Sequence, residues 1–246
     1  LFDTLRQALG DVRPRFERDL FSLVDAPTYA RKEATPIDVD ELHRILRVLD
    51  EPMRGDSVTD QVFAAVIHTL AATGMRIGEV LGLHVADLDL DAGVIHVRSS
   101  LGEIVGRGLL RGPTKNGKSR KIPVTSDLVA RLRRLRRSNP TLPFVFANDH
   151  GEPIRSSSLL TRKLHPLLDD LEMKRFGFHR FRHTWASIVL HRGVDIGTVS
   201  NMLGHSSLAI TLSVYGHYMP GRQNEAVEAI GAALAAVLGP MEQEAV

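Results

Sequence analysis

Two arginines, one lysine, two histidines and a tyrosine are the side chains of this 246-residue chain that could do chemistry together. They are Arg76 in Gly-Met-Arg-Ile-Gly-Glu, Lys115 in Thr-Lys-Asn-Gly-Lys, His179 and Arg182 in His-Arg-Phe-Arg-His, His205 in Leu-Gly-His, and Tyr215 in Val-Tyr-Gly-His. A guanidinium forks onto two phosphate oxygens at once. Imidazole and ammonium groups donate or exchange protons. A phenol, with an ordinary pKa of ~10, becomes a nucleophile when something takes its proton. Together the six supply what phosphoryl transfer to a protein side chain requires.

Each residue also has a plainer reading. Arg76 follows a helix–Gly junction, and Glu79 three positions on either orients it for a ligand or pairs with it at an exposed helix start. His179 and Arg182 share a helix face, with Phe181, Trp185 and Ile188 on the other side as anchors. His183, one turn after His179, raises a zinc site. A metalloprotease-type helix, however, needs a glutamate where Arg180 stands, and no carboxylate follows nearby as a third ligand. His205 after Gly204 has the setting of a cap or surface residue; Tyr215, ten residues later, gives it another meaning, because a turn and part of a helix fit between them. Tyr218 reads as an amphipathic surface residue and Tyr29 falls in a linker, so Tyr215 is the favoured phenol. Lys115, Lys118 and Lys121 crowd one turn, and chemistry alone does not separate them.

The elements that must position these residues are mostly helical. Asp38 caps a helix whose stripe runs Leu42, Ile45, Leu46, Leu49, with Glu41 placed for a capping box and Ile37 for a staple. A second helix spans about 59–73 and stops at Gly74, and Arg76 opens a short one. Val94–Arg98 reads as a strand, and Arg111–Thr114 and Lys121–Val124 flank Asn116-Gly117, the strongest short hairpin signal. Helices return at about 127–137, 156–172, 180–192, 195–203 and 222–238. The expected class is mainly α with a small three-stranded antiparallel sheet (α+β).

Composition bounds the function. With 43% hydrophobic and 24% charged residues the chain reads as globular. It has no cysteine, which excludes disulfides, thiolate zinc sites and cysteine nucleophiles and fits a reducing, cytoplasmic setting. The apolar stretch Ala229–Leu238 is too short to cross a bilayer, so no membrane role is expected. A net charge of +2 and a pI near 9.1 are only mildly basic. Distribution says more: basic residues cluster at 107–121 and 131–137, and such clusters either neutralise phosphates, with Arg111, Lys118 and Arg120 the expected nucleic-acid contacts, or form solvated faces.

In this order and in these contexts, the six residues resemble those of the tyrosine recombinases, the phage-integrase family, over about residues 36–220. Members carry Arg-Ile-Gly/Ser-Glu (Arg76, Glu79), a hairpin lysine (Lys115), His-x-x-Arg then His-Thr (His179, Arg182, His183, Thr184), and Leu-Gly-His followed by the tyrosine (His205, Tyr215). The resemblance implies the DNA breaking-rejoining fold and strand exchange through a covalent 3′-phosphotyrosine, with no metal or other cofactor. Arg76, Arg182, His179 and His205 would neutralise the phosphoryl oxygens, His179 would take the Tyr215 proton, and Lys115 would protonate the leaving 5′ oxygen. The implied partners are double-stranded DNA and a homotetramer assembled on it by exchange of the helix 222–238, with a monomer expected off DNA. Residues 35–246 would be the catalytic domain, and 1–34 the tail of an N-terminal core-binding domain plus linker. A type IB topoisomerase, or a non-catalytic DNA-binding protein of the same fold, are the rival readings.

Overall fold

A computed structural model describes residues 35–51, 58–104, 108–138 and 142–218. The expected linker and tail at 1–34 and the helix 222–238 lie outside these. Helix α1 (Val39–Asp50) begins where the Asp38 carboxylate accepts the Asp40 amide, and it buries Leu42, Ile45 and Leu49. Helix α2 (Val58–Thr73) is apolar on nearly every side, with Val62, Phe63, Val66, Ile67 and Leu70 all buried. A helix hydrophobic all round belongs in the centre of a core, and α2 occupies it. Gly74, at φ +63°, ends it in the left-handed region, and Arg76 caps the short helix α3 (Ile77–Leu81).

Strands β1 (Leu88–Asp89), β2 (Val94–Val97) and β5 (Arg120–Pro123) form an antiparallel sheet in the order β1-β2-β5. Ile95 faces Ile122 across it, and both are fully buried. Strands β3 (Ser99–Ile104) and β4 (Gly108–Pro113) make a separate two-stranded ribbon. The three-stranded sheet is therefore present, but the strands flanking Asn116-Gly117 do not pair with each other. The turn itself closes, Gly117 donating to the Thr114 carbonyl. Core packing of Ile122 then sends β5 to β2, and the ribbon claims β4. Local turn chemistry cannot distinguish a hairpin from a loop that crosses between sheets.

Helix α4 (Ser126–Ser138) carries the second basic cluster, part of which turns back on the protein: Arg131 pairs with Asp50 and Asp127, and Arg133 with Asp91. The expected helix over 156–172 is α5 (Ser156–Leu159) and α6 (His165–Asp170) joined by a π turn at Leu160–Leu164, just ahead of Pro166. Helices α7 (His179–His191), α8 (Ile196–Leu203) and α9 (Leu208–Tyr215) follow, then a 3₁₀ turn at Gly216–Tyr218. The Thr184 hydroxyl of α7 accepts the buried amide of Ile37, tying the entry of α1 to α7. A second core cluster holds Trp185, Leu190, Val199, Leu203 and Tyr215. No helix among the described residues is long and apolar enough to cross a membrane.

Gly74 joins the two cores. A Cβ there would stand 2.6 Å from Trp185 Cε3, on a backbone that other residues adopt only under strain. Gly74→Ala is expected to cost at least roughly 1–3 kcal/mol from the left-handed backbone alone. Urea unfolding of the variant against the parent measures this.

Candidate active site

Four helix ends and one loop converge on the site. Arg182 lies on the first turn of α7 and is 1% exposed, yet its guanidinium is satisfied: one NH donates to Gly74 O at 2.9 Å and the other to Leu203 O at 2.7 Å. Burial first, and Arg76 second, pull its pKa down to about 9, which leaves it cationic at neutral pH. Arg76 comes from the start of α3. It donates to Glu79 Oε1 at 3.0 Å and to the carbonyls of Leu203 and Gly204 at 3.5 Å, while its backbone amide donates to Glu79 Oε2.

Glu79 is 1% exposed and is also gripped by Arg120, whose two terminal nitrogens donate to its two oxygens at 3.1 and 2.7 Å. Burial would raise this carboxyl, but the hydrogen bonds and charges of Arg120 and Arg76 outweigh it and hold the group below the usual carboxylate range. Gly204, left-handed at φ +65°, ends α8 and turns the chain so that His205 enters the site. His205 Nδ1 lies 2.7 Å from Thr211 Oγ1 of α9. Its ring is nearly parallel to that of Tyr215, at 9° and 6.5 Å between centroids.

Tyr215, the last residue of α9, is 1% exposed, and its hydroxyl lies 2.6 Å from His183 Nδ1. Burial pushes the phenol up to about 12 against the pull of Arg182. Burial also lowers His183 to about 4, aided by His179 and Arg182, so the imidazole is neutral. His179 meets the His183 ring edge-on at 4.5 Å. Partial burial holds His179 below the usual imidazole range, and Arg182, Arg76 and Lys115 add to this. Lys115 stands on the exposed loop between β4 and β5, and its charge is the smallest of the influences on His179.

The fold thus links Arg76, His179, Arg182, His205 and Tyr215 through shared partners, with Glu79 bonded to Arg76, while Lys115 stands on the exposed loop and is felt at His179 through its charge. Of the three expected DNA contacts, Lys118 is exposed beside a groove of about 600 Å³ that also borders Asn116, His205 and Lys121. The other two guanidiniums are engaged within the protein. Arg111 donates to Gly82 O and Asp87, and Arg120 donates to Glu79 and Met202 O. Arg120 had a legible signal: it shares a strand face with the buried Ile122, two residues on. His183 was legible only as a partner of His179 one turn away. Its contact with Tyr215 depends on where α9 packs.

A model of the phage integrase family matches residues 36–222. The chain belongs to the phage integrase family. Among its relatives, it is 29% identical over 181 residues to a XerC-like tyrosine recombinase of Caldanaerobacter subterraneus subsp. tengcongensis, covering 64% of this chain and 46% of that protein. It is 28% identical over 180 residues to the ICEBs1 integrase of Bacillus subtilis, covering 68% and 48%. The chain spans about half the length of these relatives. Its fold is similar to that of the Tn1549 transposon integrase solved with a circular intermediate DNA (TM-score 0.67, 22% identity, 94% of this chain and 75% of that one). It is also similar to the XerA recombinase (TM-score 0.59, 22% identity, 88% and 67%). At such identities the likeness is one of fold, and that fold is the integrase one expected from the sequence.

The neutral imidazoles couple this integrase-family site to stability. His183 and His205 titrate at about 4 when folded, against an ordinary 6.5, so the unfolded chain takes up protons first as pH falls. Their contribution is complete above pH 6.5 and is lost as pH drops toward 4. Urea midpoints measured from pH 8 to 4 should decline across that window, and less steeply in His205→Gln. An equal decline in the variant would contradict the assignment.

Proposed function

We propose that this chain is the catalytic part of a tyrosine site-specific recombinase, which cuts and rejoins double-stranded DNA through a covalent 3′-phosphotyrosine. The observation that carries this reading is the contact of the buried Tyr215 hydroxyl with the neutral His183 imidazole, beside the His205 ring and close to two arginines, Arg76 and Arg182, that share the Leu203 carbonyl. The DNA complexes solved for relatives of the same fold support a duplex as the partner.

In the proposed reaction Tyr215 Oη attacks the scissile phosphorus. Its proton passes to His183 Nδ1, the imidazole that already touches it, while His179 contacts the phosphate side of the pair. Sequence reasoning gave the acceptor role to His179; the 2.6 Å contact favours His183 as the first acceptor. Arg76 and Arg182 neutralise the phosphoryl oxygens. His205 adds a donor through Nε2, since Nδ1 is held by Thr211. Donors preorganised in this way are worth ~3–4 kcal/mol each in a transition state. Lys115 gives a proton to the leaving O5′. The phosphodiester becomes a phosphotyrosine ester and a free 5′ hydroxyl, so a different 5′ hydroxyl reverses the step without an external energy source.

The wider assembly is part of the same proposal. Residues 1–34 serve as the tail of a core-binding domain and its linker. Four copies act on two duplexes, with the helix 222–238 docking on a neighbouring subunit. Lys118 contacts the DNA backbone.

Incubating the protein with nicked duplexes of randomised sequence, then recovering protein–DNA adducts on a denaturing gel, tests the chemistry. The expected result is an adduct that Tyr215→Phe abolishes while duplex binding persists, and that Arg76→Gln slows about 10²–10³-fold. An adduct that survives Tyr215→Phe would move the nucleophile to Tyr218. Relaxation of a supercoiled circle with no exchange between duplexes would favour a topoisomerase.

A further inference from the structure

Arg120 was expected on DNA, yet its side chain is only 10% exposed and every nitrogen of its guanidinium has a partner inside the protein. It stands at the first residue of β5, a strand rooted in the core through Ile122 against Ile95. Nε donates to Met202 O in the last turn of α8 at 2.7 Å. The other two nitrogens close a fork on Glu79 at 3.1 and 2.7 Å. The turn after Met202 leans on the same group: a Cβ on Gly204 would lie 2.8 Å from an Arg120 terminal nitrogen. Glu79 in turn holds Arg76 by backbone and side chain, and Gly204 leads directly into His205.

On the reading that Arg76 and His205 bind the scissile phosphate, we infer that Arg120 is a positioning residue that sets both of them and balances the charge of Glu79. The electrostatic part follows from a simple count. Glu79 brings one negative charge and is bonded to two arginines. With Arg120 present, one cation offsets the carboxylate and the other remains available to an incoming anion. Without Arg120, the buried carboxylate has Arg76 as its single cationic partner, and the pairing cancels the charge meant for phosphate. A buried carboxylate stripped of its partner pulls strongly on any cation left beside it. Lysine is a poor replacement, because a point charge cannot hold two carboxylate oxygens and a carbonyl in one plane.

The test compares cleavage of a nicked duplex carrying an ordinary scissile phosphate with one carrying a methylphosphonate there, which lacks the negative charge. Wild type, Arg120→Gln, Arg120→Lys and Glu79→Gln/Arg120→Gln are measured at saturating DNA. Thermal melting and duplex affinity are recorded for each. The expected result is that Arg120→Gln and Arg120→Lys bind duplex like the parent but cleave the phosphate about 10²-fold more slowly. On the methylphosphonate the deficit should shrink to about tenfold or less, because the charge Arg76 no longer supplies is not needed there. The double variant should recover rate relative to Arg120→Gln, since no unbalanced carboxylate remains. Equal deficits on the two substrates, or a double variant no faster than the single one, would reduce Arg120 to a structural residue. Wild-type rates in Arg120→Lys would overturn the inference outright. Absence of any adduct with the wild-type chain would instead overturn the recombinase reading beneath it.

Discussion

The last carbonyls of α8 hold the site together. A helix leaves its final carbonyl groups without intrahelical partners and with partial negative charge. Here those groups are taken by donors from other parts of the chain. Met202 O accepts from Arg120, Leu203 O from Arg182 and Arg76, and Gly204 O from Asn116 and Arg76. One helix end thus aligns three guanidiniums from three sequence regions. Arg182 depends on it most. A buried cation costs several kcal/mol unless its donors are satisfied, and the carbonyls of Gly74 and Leu203 satisfy two of them.

The electrostatic state of the site follows from that crowding. Arg76 and Arg120 are bonded to one buried carboxylate, Glu79, and Arg182 adds a third cation that is held by backbone carbonyls instead, so the local field is positive. Burial and that field both oppose protonation of His179, His183 and His205, which stay neutral. The phenol moves the other way: burial favours its neutral form more than Arg182 favours the phenolate. A protonated tyrosine beside a neutral imidazole is a resting arrangement. An anion entering the positive field would be attracted to the same place.

Two layers of packing make this geometry stiff. Trp185 fills the space against Gly74 and Leu203, so the α2–α3 junction and the end of α8 are set by one side chain. β5 brings Arg120 in from the sheet, and its register is fixed by Ile122 opposite Ile95. A shift in either core would therefore move the cations relative to the phenol.

Much of this was legible in the residues alone. The apolar stripes of α1 and α2, the stop at Gly74, the strand at Val94 and the helices α7 and α8 follow from periodicity and caps, which are local properties; α9 was not expected as an element of its own. The six residues were legible as candidates, because guanidinium, ammonium, imidazole and phenol chemistry is carried by residue type. Pairing and direction were not. The strands beside Asn116-Gly117 went to different sheets, because burial of Ile122 and the ribbon partner of β4 decided the matter at long range. Arg111 and Arg120 have the side chains of DNA contacts, and only the location of Asp87 and Glu79 gave them partners within the protein. Residue type and local pattern say which groups can do the chemistry; long-range packing says which of them touch. The physical reason is that a hydrogen bond needs its partner within about 3 Å, and residues as distant in sequence as Arg120 and Met202, or His183 and Tyr215, meet only after the helices have packed.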